Sequence, residues 1–261
     1  MKTAILTAAA LLIAAAAHAE TTLERIRERG AIRIAIDLSV PPWSYKDENL
    51  VPVGSEVETA QLLADSLGVD MEIVQTNGAN RIPFLMSGQA DIIMSVLSIT
   101  DERRQVIDFS RPYTGASTFI AAPAGAKIAS AEDLAGQRIA VTRGTANDTD
   151  LTALAPARTE IIRFEDEATT ITAVAAGQVP LVAQAQSLID VINARNPSLQ
   201  LEPKITLREF RAGVGIRKGD TDLAEYLDEW IGDNVENGKI GAIYAKYQHA
   251  DLPADIVTYA D

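Results

Sequence analysis

The 261-residue chain contains no cysteine, which excludes disulfides, thiolate metal sites, cysteine nucleophiles and any cysteine-linked lipid anchor. Histidine is scarce as well, with only His18 and His249, so histidine-based metal centres fall too. Basic residues are in deficit: Lys plus Arg total 23 against 36 Asp plus Glu, a formal charge of -13, and a field of that sign repels nucleic acid and anionic membranes. What the chain does have is ordinary, 47% hydrophobic and 23% charged residues, the usage of a folded, water-soluble protein rather than a disordered one. With about 100 to 200 residues per domain, the length suits one large domain or two modest lobes.

Long apolar runs are equally rare. Ala4 to Ala17 is one; it follows Lys2 and leads into Ala17-His18-Ala19, the basic start, apolar middle and small-x-small end of an export signal cleaved after Ala19. The run falls short of the about 20 apolar residues that a bilayer span needs. The mature chain, from Glu20 onward, is therefore expected in an exported compartment, with His249 as its remaining histidine.

Beyond Glu20, strand patterns alternate with helix patterns, the signature of an α/β protein with mostly parallel sheets. Ile32 to Ile36 reads as a strand, Pro41-Pro42 breaks the chain, and Val57, Ala60, Ala64 and Leu67 share a helical face that Gly68 ends. A strand over 71–74, a helix over 81–86 stopped by Gly88, and a buried strand over 91–94 complete a β-α-β-α-β half. The pattern then restarts. Strands over 118–121, 138–141, 160–164 and 181–183 alternate with helices over 147–155, 168–176 and 188–192, and a strand over 209–216 leads back to two closing helices. Two sheets are expected.

Leu97-Ser98-Ile99-Thr100-Asp101-Glu102-Arg103 and Val106 to Tyr113 carry the patterns I-T-x-x-R and F-S-x-P-Y in succession. In order and in spacing these resemble the landmarks of the bacterial solute-binding proteins that feed polar amino acids to ABC importers (extracellular solute-binding protein family 3). Gly30 to Ala35, Pro41-Pro42-Trp43, Gly88-Gln89-Ala90-Asp91 and Arg143-Gly144-Thr145 also stand where the family has similar segments. So does Gly54-Ser55-Glu56-Val57-Glu58, with Ser55 in place of a bulky apolar residue.

The resemblance implies a type II periplasmic binding protein of α/β class. Two lobes, each a mostly parallel sheet flanked by helices, are joined by two crossing segments: lobe 1 from 20–115 and 211–261, lobe 2 from 116–210. It implies a monomer of the periplasm, without cofactor or metal, that passes its solute to an ABC transporter permease. Within I-T-x-x-R, Arg103 would fork the ligand carboxylate, whereas the charged run 101–104 taken alone is a solvated helix start. Ser98 and Ser95 end an apolar strand, where open α/β sheets place their crevices. Gly144 and Thr145 open a helix after a strand and can close on a carboxylate. Trp43, with Tyr45, would line the cleft mouth.

Two further positions bear on the ligand. Arg81 matches an arginine that helps bind a side-chain carboxylate in relatives taking acidic amino acids, which points to an acidic ligand. Conversely, the family's acid for the α-ammonium falls on Ala185, when Gly177 to Ala185 is matched to its glycine-x-x-aspartate segment. Either Gln184, Gln186 or Asp148 takes that part, or the ligand lacks an α-amino group. A competing expectation is an enzyme on the same scaffold, a periplasmic dehydratase acting on a cyclic carboxylate; it needs a cleft acid or base, and few candidates are visible. A receptor's sensing domain, the third alternative, would need an attached membrane or signalling segment.

Overall fold

The computed structural model describes residues 20–259; the expected export signal, 1–19, lies outside the described residues. Helix α1 (Thr22–Arg29) leads into β1 (Ala31–Ile36), three short strands β2 (Ser39–Val40), β3 (Ser44–Lys46) and β4 (Pro52–Val53), then α2 (Ser55–Leu67), β5 (Asp70–Gln75), α3 (Arg81–Met86), β6 (Ile92–Ile93), α4 (Asp101–Arg104) and the long strand β7 (Ile107–Pro123). The chain continues through β8 (Arg138–Thr142), α5 (Ala146–Leu154), β9 (Glu160–Phe164), α6 (Glu167–Ala175), β10 (Leu181–Ala185), α7 (Gln186–Arg195) and a second long strand, β11 (Leu201–Arg217). Helices α8 (Thr221–Glu236), α9 (Lys239–Gln248) and α10 (Ala254–Val257) follow.

The two expected sheets are hydrogen-bonded into one, in the order β5-β1-β6-β11-β7-β10-β8-β9. Pairing is parallel within each lobe, β5-β1-β6 on one side and β10-β8-β9 on the other. The antiparallel pair β7 and β11 joins them. These two strands are far longer than their apolar cores at 118–121 and 209–216. Pro112 and Pro203 interrupt the alternation, and a proline normally argues against a central strand. Here register shifts between Pro203 and Ile205 and beside Gly213, the partner of Pro112, absorb the missing donors.

Alternation along the strands builds the core on both faces of the sheet. Ile32, Ile34 and Ile36 of β1 bury on one face against Leu63 of α2 and Leu227 of α8, while Ala35 packs on the other with Leu85 and Leu97. In the second lobe Ile139 and Val141 of β8 join Leu181 and Ala183 of β10 on one face, and Ala140 and Val182 turn to the opposite one. Parallel strands buried on both faces aim their carboxyl ends, and the loops after them, at the gap between the lobes.

Candidate functional site

A narrow cavity lies between the lobes, walled on one side by Asp37, Trp43, Arg81, Ser95 and Ser98 and on the other by Thr145, Asn147, Glu167, Gln184 and Ala185. It encloses about 60 Å³ of water-accessible space, room for a small solute but not a peptide. Asp37 follows β1, Ser95 and Ser98 follow β6, Thr145 follows β8, and Gln184 and Ala185 end β10, so the carboxyl-end rule for open sheets locates the site.

The lobes touch around it. The Trp43 indole Nε1 donates to Ser187 Oγ on the opposite lobe at 3.1 Å, and its ring meets Tyr244 edge-on at 5.9 Å. Trp43 is held there by Gly54, whose φ of +126° lets the start of α2 pass so close that a Cβ would lie 2.3 Å from the Trp43 carbonyl oxygen. Tyr45, by contrast, belongs to the small β2-β3-β4 sheet, opposite Ser39 and Val53, and does not line the cavity. Gly144, with φ +73°, lies against Ala79 of the other lobe; a Cβ there would stand 2.8 Å from the Ala79 Cα.

Arg103 sits at the rim rather than in the lining. Thr100 caps α4, accepting from the Arg103 N–H at 3.2 Å, and the guanidinium spans the cleft, donating to the Ser98 carbonyl at 2.9 Å and to the Gly144 carbonyl at 3.4 Å. Burial, then the repulsion of Arg81, pulls its pKa down to about 9. It is still a cation at neutral pH, in a place short of anions. The Thr145 hydroxyl caps α5, accepting from Asp148 N–H and donating to the Thr142 carbonyl. Ser95 Oγ accepts from the Asp37 N–H at 3.0 Å, and its carbonyl accepts from Arg81 at 2.6 Å.

Three carboxylates surround Arg81, and none was among the expected site residues. Its guanidinium is enclosed, with Nε lacking any hydrogen-bond partner among the described residues; burial lowers its pKa while Asp37, Glu167 and Glu56 oppose that by attraction. Asp37 lines the cavity and takes the Ser39 N–H and hydroxyl; burial raises its pKa against those bonds. Glu56 lies behind the wall, accepting from Tyr113 OH at 2.7 Å and Val96 N–H at 2.8 Å. Glu167 opens α6 and faces the cavity from the second lobe, raised to about 7 chiefly by burial. Arg208 also lines the cavity, but Asp150 holds it in a fork.

Ala185 is buried on the cavity wall, so the place expected to hold an acid is apolar. The residues expected to stand in for it are committed elsewhere. Asp148 accepts from Arg163 at 2.8 Å and is not in the lining; Gln186 is exposed and bonds Asp190. Gln184 lines the cavity, yet its amide N–H donates to Glu167 at 2.6 Å and its oxygen accepts from the Ala185 N–H. An ammonium needs an acceptor, and both ends of this amide are in use.

Comparison with known proteins agrees with this architecture. The chain is 27% identical to the L-cystine-binding protein of Escherichia coli (strain K12), over 89% of its own length and 88% of that protein. It is 29% identical to the L-arginine-binding protein of Pseudomonas aeruginosa, over 85% and 89% respectively. Among solved structures, a mutant of ArgBP from T. maritima superposes with a TM-score of 0.80 at 28% identity, covering 88% of this chain and 100% of that one. The two curated relatives are binding proteins by name. Residues 32–250 match a family that spans most of both lobes and the crossing strands, and the chain accordingly belongs to the bacterial extracellular solute-binding proteins, family 3.

Proposed function

We propose that this protein captures a polar, net-neutral amino acid between its lobes in the periplasm and delivers it to an ABC importer, residues 1–19 being the export signal. One observation carries the reading: the small interlobe cavity beside Trp43 bears charges of both signs. With Glu167 ionised, as a bound ammonium makes it, the lining carboxylates Asp37 and Glu167 balance Arg81 and the rim guanidinium of Arg103, Arg208 is neutralised by its Asp150 fork, and Glu56 lies behind the wall, outside the lining. A site with no net charge suits a solute with one carboxylate, one ammonium and an uncharged polar side chain. Arg103 takes the carboxylate with help from Ser98 and the Gly144-Thr145 turn, and Trp43 packs along the carbon chain. An acidic amino acid, the preference that Arg81 alone suggests, would leave a buried anion unbalanced. The hinge falls where residues 115 and 211 pair directly across β7 and β11.

A thermal-shift screen with L-cystine, L-glutamine, L-histidine, L-arginine and L-glutamate tests this. A ligand at about a hundred times its Kd adds roughly 2.7 kcal/mol of stability. The expected result is a shift with one or more of the net-neutral amino acids, lost in Arg103→Ala; a response to L-glutamate alone would overturn the charge argument.

A further inference from the structure

We propose that Glu167 receives the ligand's ammonium, in place of the acid that Ala185 has vacated, and that Thr142, Thr170 and Gln184 are the residues that position its carboxylate. The inference rests on the reading of the cavity as an amino-acid site and adds a residue to it.

Glu167 is buried, at 6% exposure, and faces the same cavity as Ala185 from the neighbouring element. Both hydrogen bonds to its carboxylate, from Thr142 Oγ1 at 2.7 Å and from Gln184 Nε2 at 2.6 Å, end on Oε2. No hydrogen bond to Oε1 and no direct ion pair to Glu167 occurs among the described residues. A carboxylate fixed by one oxygen and unpaired at the other is what an ammonium requires. The charged groups acting on it are Asp37, after β1, and Arg81 on α3. From the elements of its own lobe it meets the Thr142 hydroxyl, itself bonded to that of Thr170, and the Gln184 amide, and Val40 of β2 and Leu188 of α7 complete the cavity wall.

The hydroxyls behind Glu167 can serve either protonation state. Oε2, Thr142 Oγ1, Thr170 Oγ1 and the Asp166 carbonyl form a chain with steps of 2.7, 2.7 and 2.9 Å. With Glu167 protonated, every hydrogen points away from it along the chain and each step is satisfied. With Glu167 ionised, both hydroxyls turn to point toward it, and the Asp166 carbonyl keeps its helical N–H from Thr170. Reversing two hydroxyl rotors is cheap, so the group can be neutral in the empty cleft and ionise when an ammonium arrives, its proton passing to solvent. A pKa of about 7 in the empty protein fits that exchange.

The test is calorimetry of the full protein with three amino acids and their deaminated counterparts: L-glutamine with glutaramate, L-histidine with imidazolepropionate, L-cystine with dithiodipropionate. At least one amino acid should bind, more than about tenfold tighter than its counterpart. Glu167→Gln should lose more than about tenfold for the amino acid while the counterpart changes by less than about threefold. A second measurement needs no variant. In the parent protein near neutral pH, buffers of different ionisation heat should report proton release with the amino acid and none with the counterpart. Amino-acid binding by Glu167→Gln within about threefold of the parent, or binding without proton release, overturns the proposal. If Arg103→Ala abolishes binding and Glu167→Gln does not, the amino-acid site stands and the ammonium assignment falls. If Arg103→Ala binds unchanged, or no amino acid binds the parent, both fall.

Discussion

Replacing Arg103 with methionine keeps most of the apolar stem and removes the guanidinium, and the structure allows two opposing effects on the empty protein to be weighed. A cation whose pKa falls from its ordinary 12.5 to about 9 is disfavoured in the folded state. At 1.36 kcal/mol per pH unit the ceiling on that cost is about 5 kcal/mol. Arg103 is only partly buried, so solvent screening cuts the figure to about half or less. Against it stands the loss of one good charged hydrogen bond, to Ser98 at 2.9 Å, and one long one, to Gly144 at 3.4 Å, together about 1.5 to 3 kcal/mol. The terms nearly cancel, so the empty variant should unfold within about 1 to 2 kcal/mol of the parent. Binding behaves differently, because the ligand carboxylate loses its fork and stays desolvated, at a cost of about 2 to 5 kcal/mol, a loss of roughly thirtyfold to several thousandfold. Urea melts of the empty protein, paired with calorimetry of the best ligand from the screen, separate the two. Affinity within about threefold of the parent refutes the carboxylate role. Destabilisation beyond about 3 kcal/mol would instead make Arg103 a structural strut between Ser98 and Gly144.

The alternation of apolar residues located the strands of the large sheet and most helices, because a parallel strand buried on both faces and a helix with one apolar face differ in period; it missed the two- and three-residue strands β2, β3 and β4, too short to show a period. It understated β7 and β11, because Pro112, Pro123 and Pro203 sit in or at the end of strands whose bulges and edges excuse them. It overlooked α1, although Thr21 and Glu24 form a capping box in plain view, since eight residues give periodicity little to work with. Of the site, the residues carried by motifs were legible: Ser95, Ser98, Thr145, Trp43, Arg81 and Gln184 all line the cavity, and Arg103 and Gly144 stand at its rim. The carboxylates were not. Asp37, Glu56 and Glu167 lie in three distant segments, and Glu167 follows Glu165 and Asp166 in a run that reads as a solvated helix start. Asp166 does cap α6; the turn of helix that follows swings Glu167 inward onto Thr142. No spacing rule within one segment reports that register, which is set by how α6 packs on β8.

Gly144→Ala should weaken binding, because the approach to Ala79 across the cleft penalises the closed lobes, and its φ of +73° should separately cost about 1 kcal/mol of stability; calorimetry reads the first effect and urea melts the second. Trp43→Phe removes the indole bond to Ser187 and should lower affinity by a hydrogen bond's worth, about 0.5 to 1.5 kcal/mol; an unchanged Kd would show that this contact contributes nothing to closure. Tyr113→Phe strips Glu56 of one of its two donors and should cost about 1 to 3 kcal/mol of stability, read by urea melts. The pH dependence of stability gives the last test, on Glu167 without ligand. Its carboxyl is raised from an ordinary 4.5 to about 7 in the folded protein, so between those values the folded state holds a proton that the unfolded state has lost. The group's contribution is therefore fully present below pH about 4.5, declines as pH rises, and is gone above about 7, a fall of about 3 kcal/mol. Asp37 and Glu56 are also raised and act in the same direction, while Asp91, pulled down by Arg33 against its burial, acts in the opposite one. Only the difference between the parent and Glu167→Gln isolates the one group. That difference, measured by urea melts across this range, should shrink as the solution becomes more alkaline; a difference that is flat or grows with pH would mean that Glu167 is already ionised in the empty cleft.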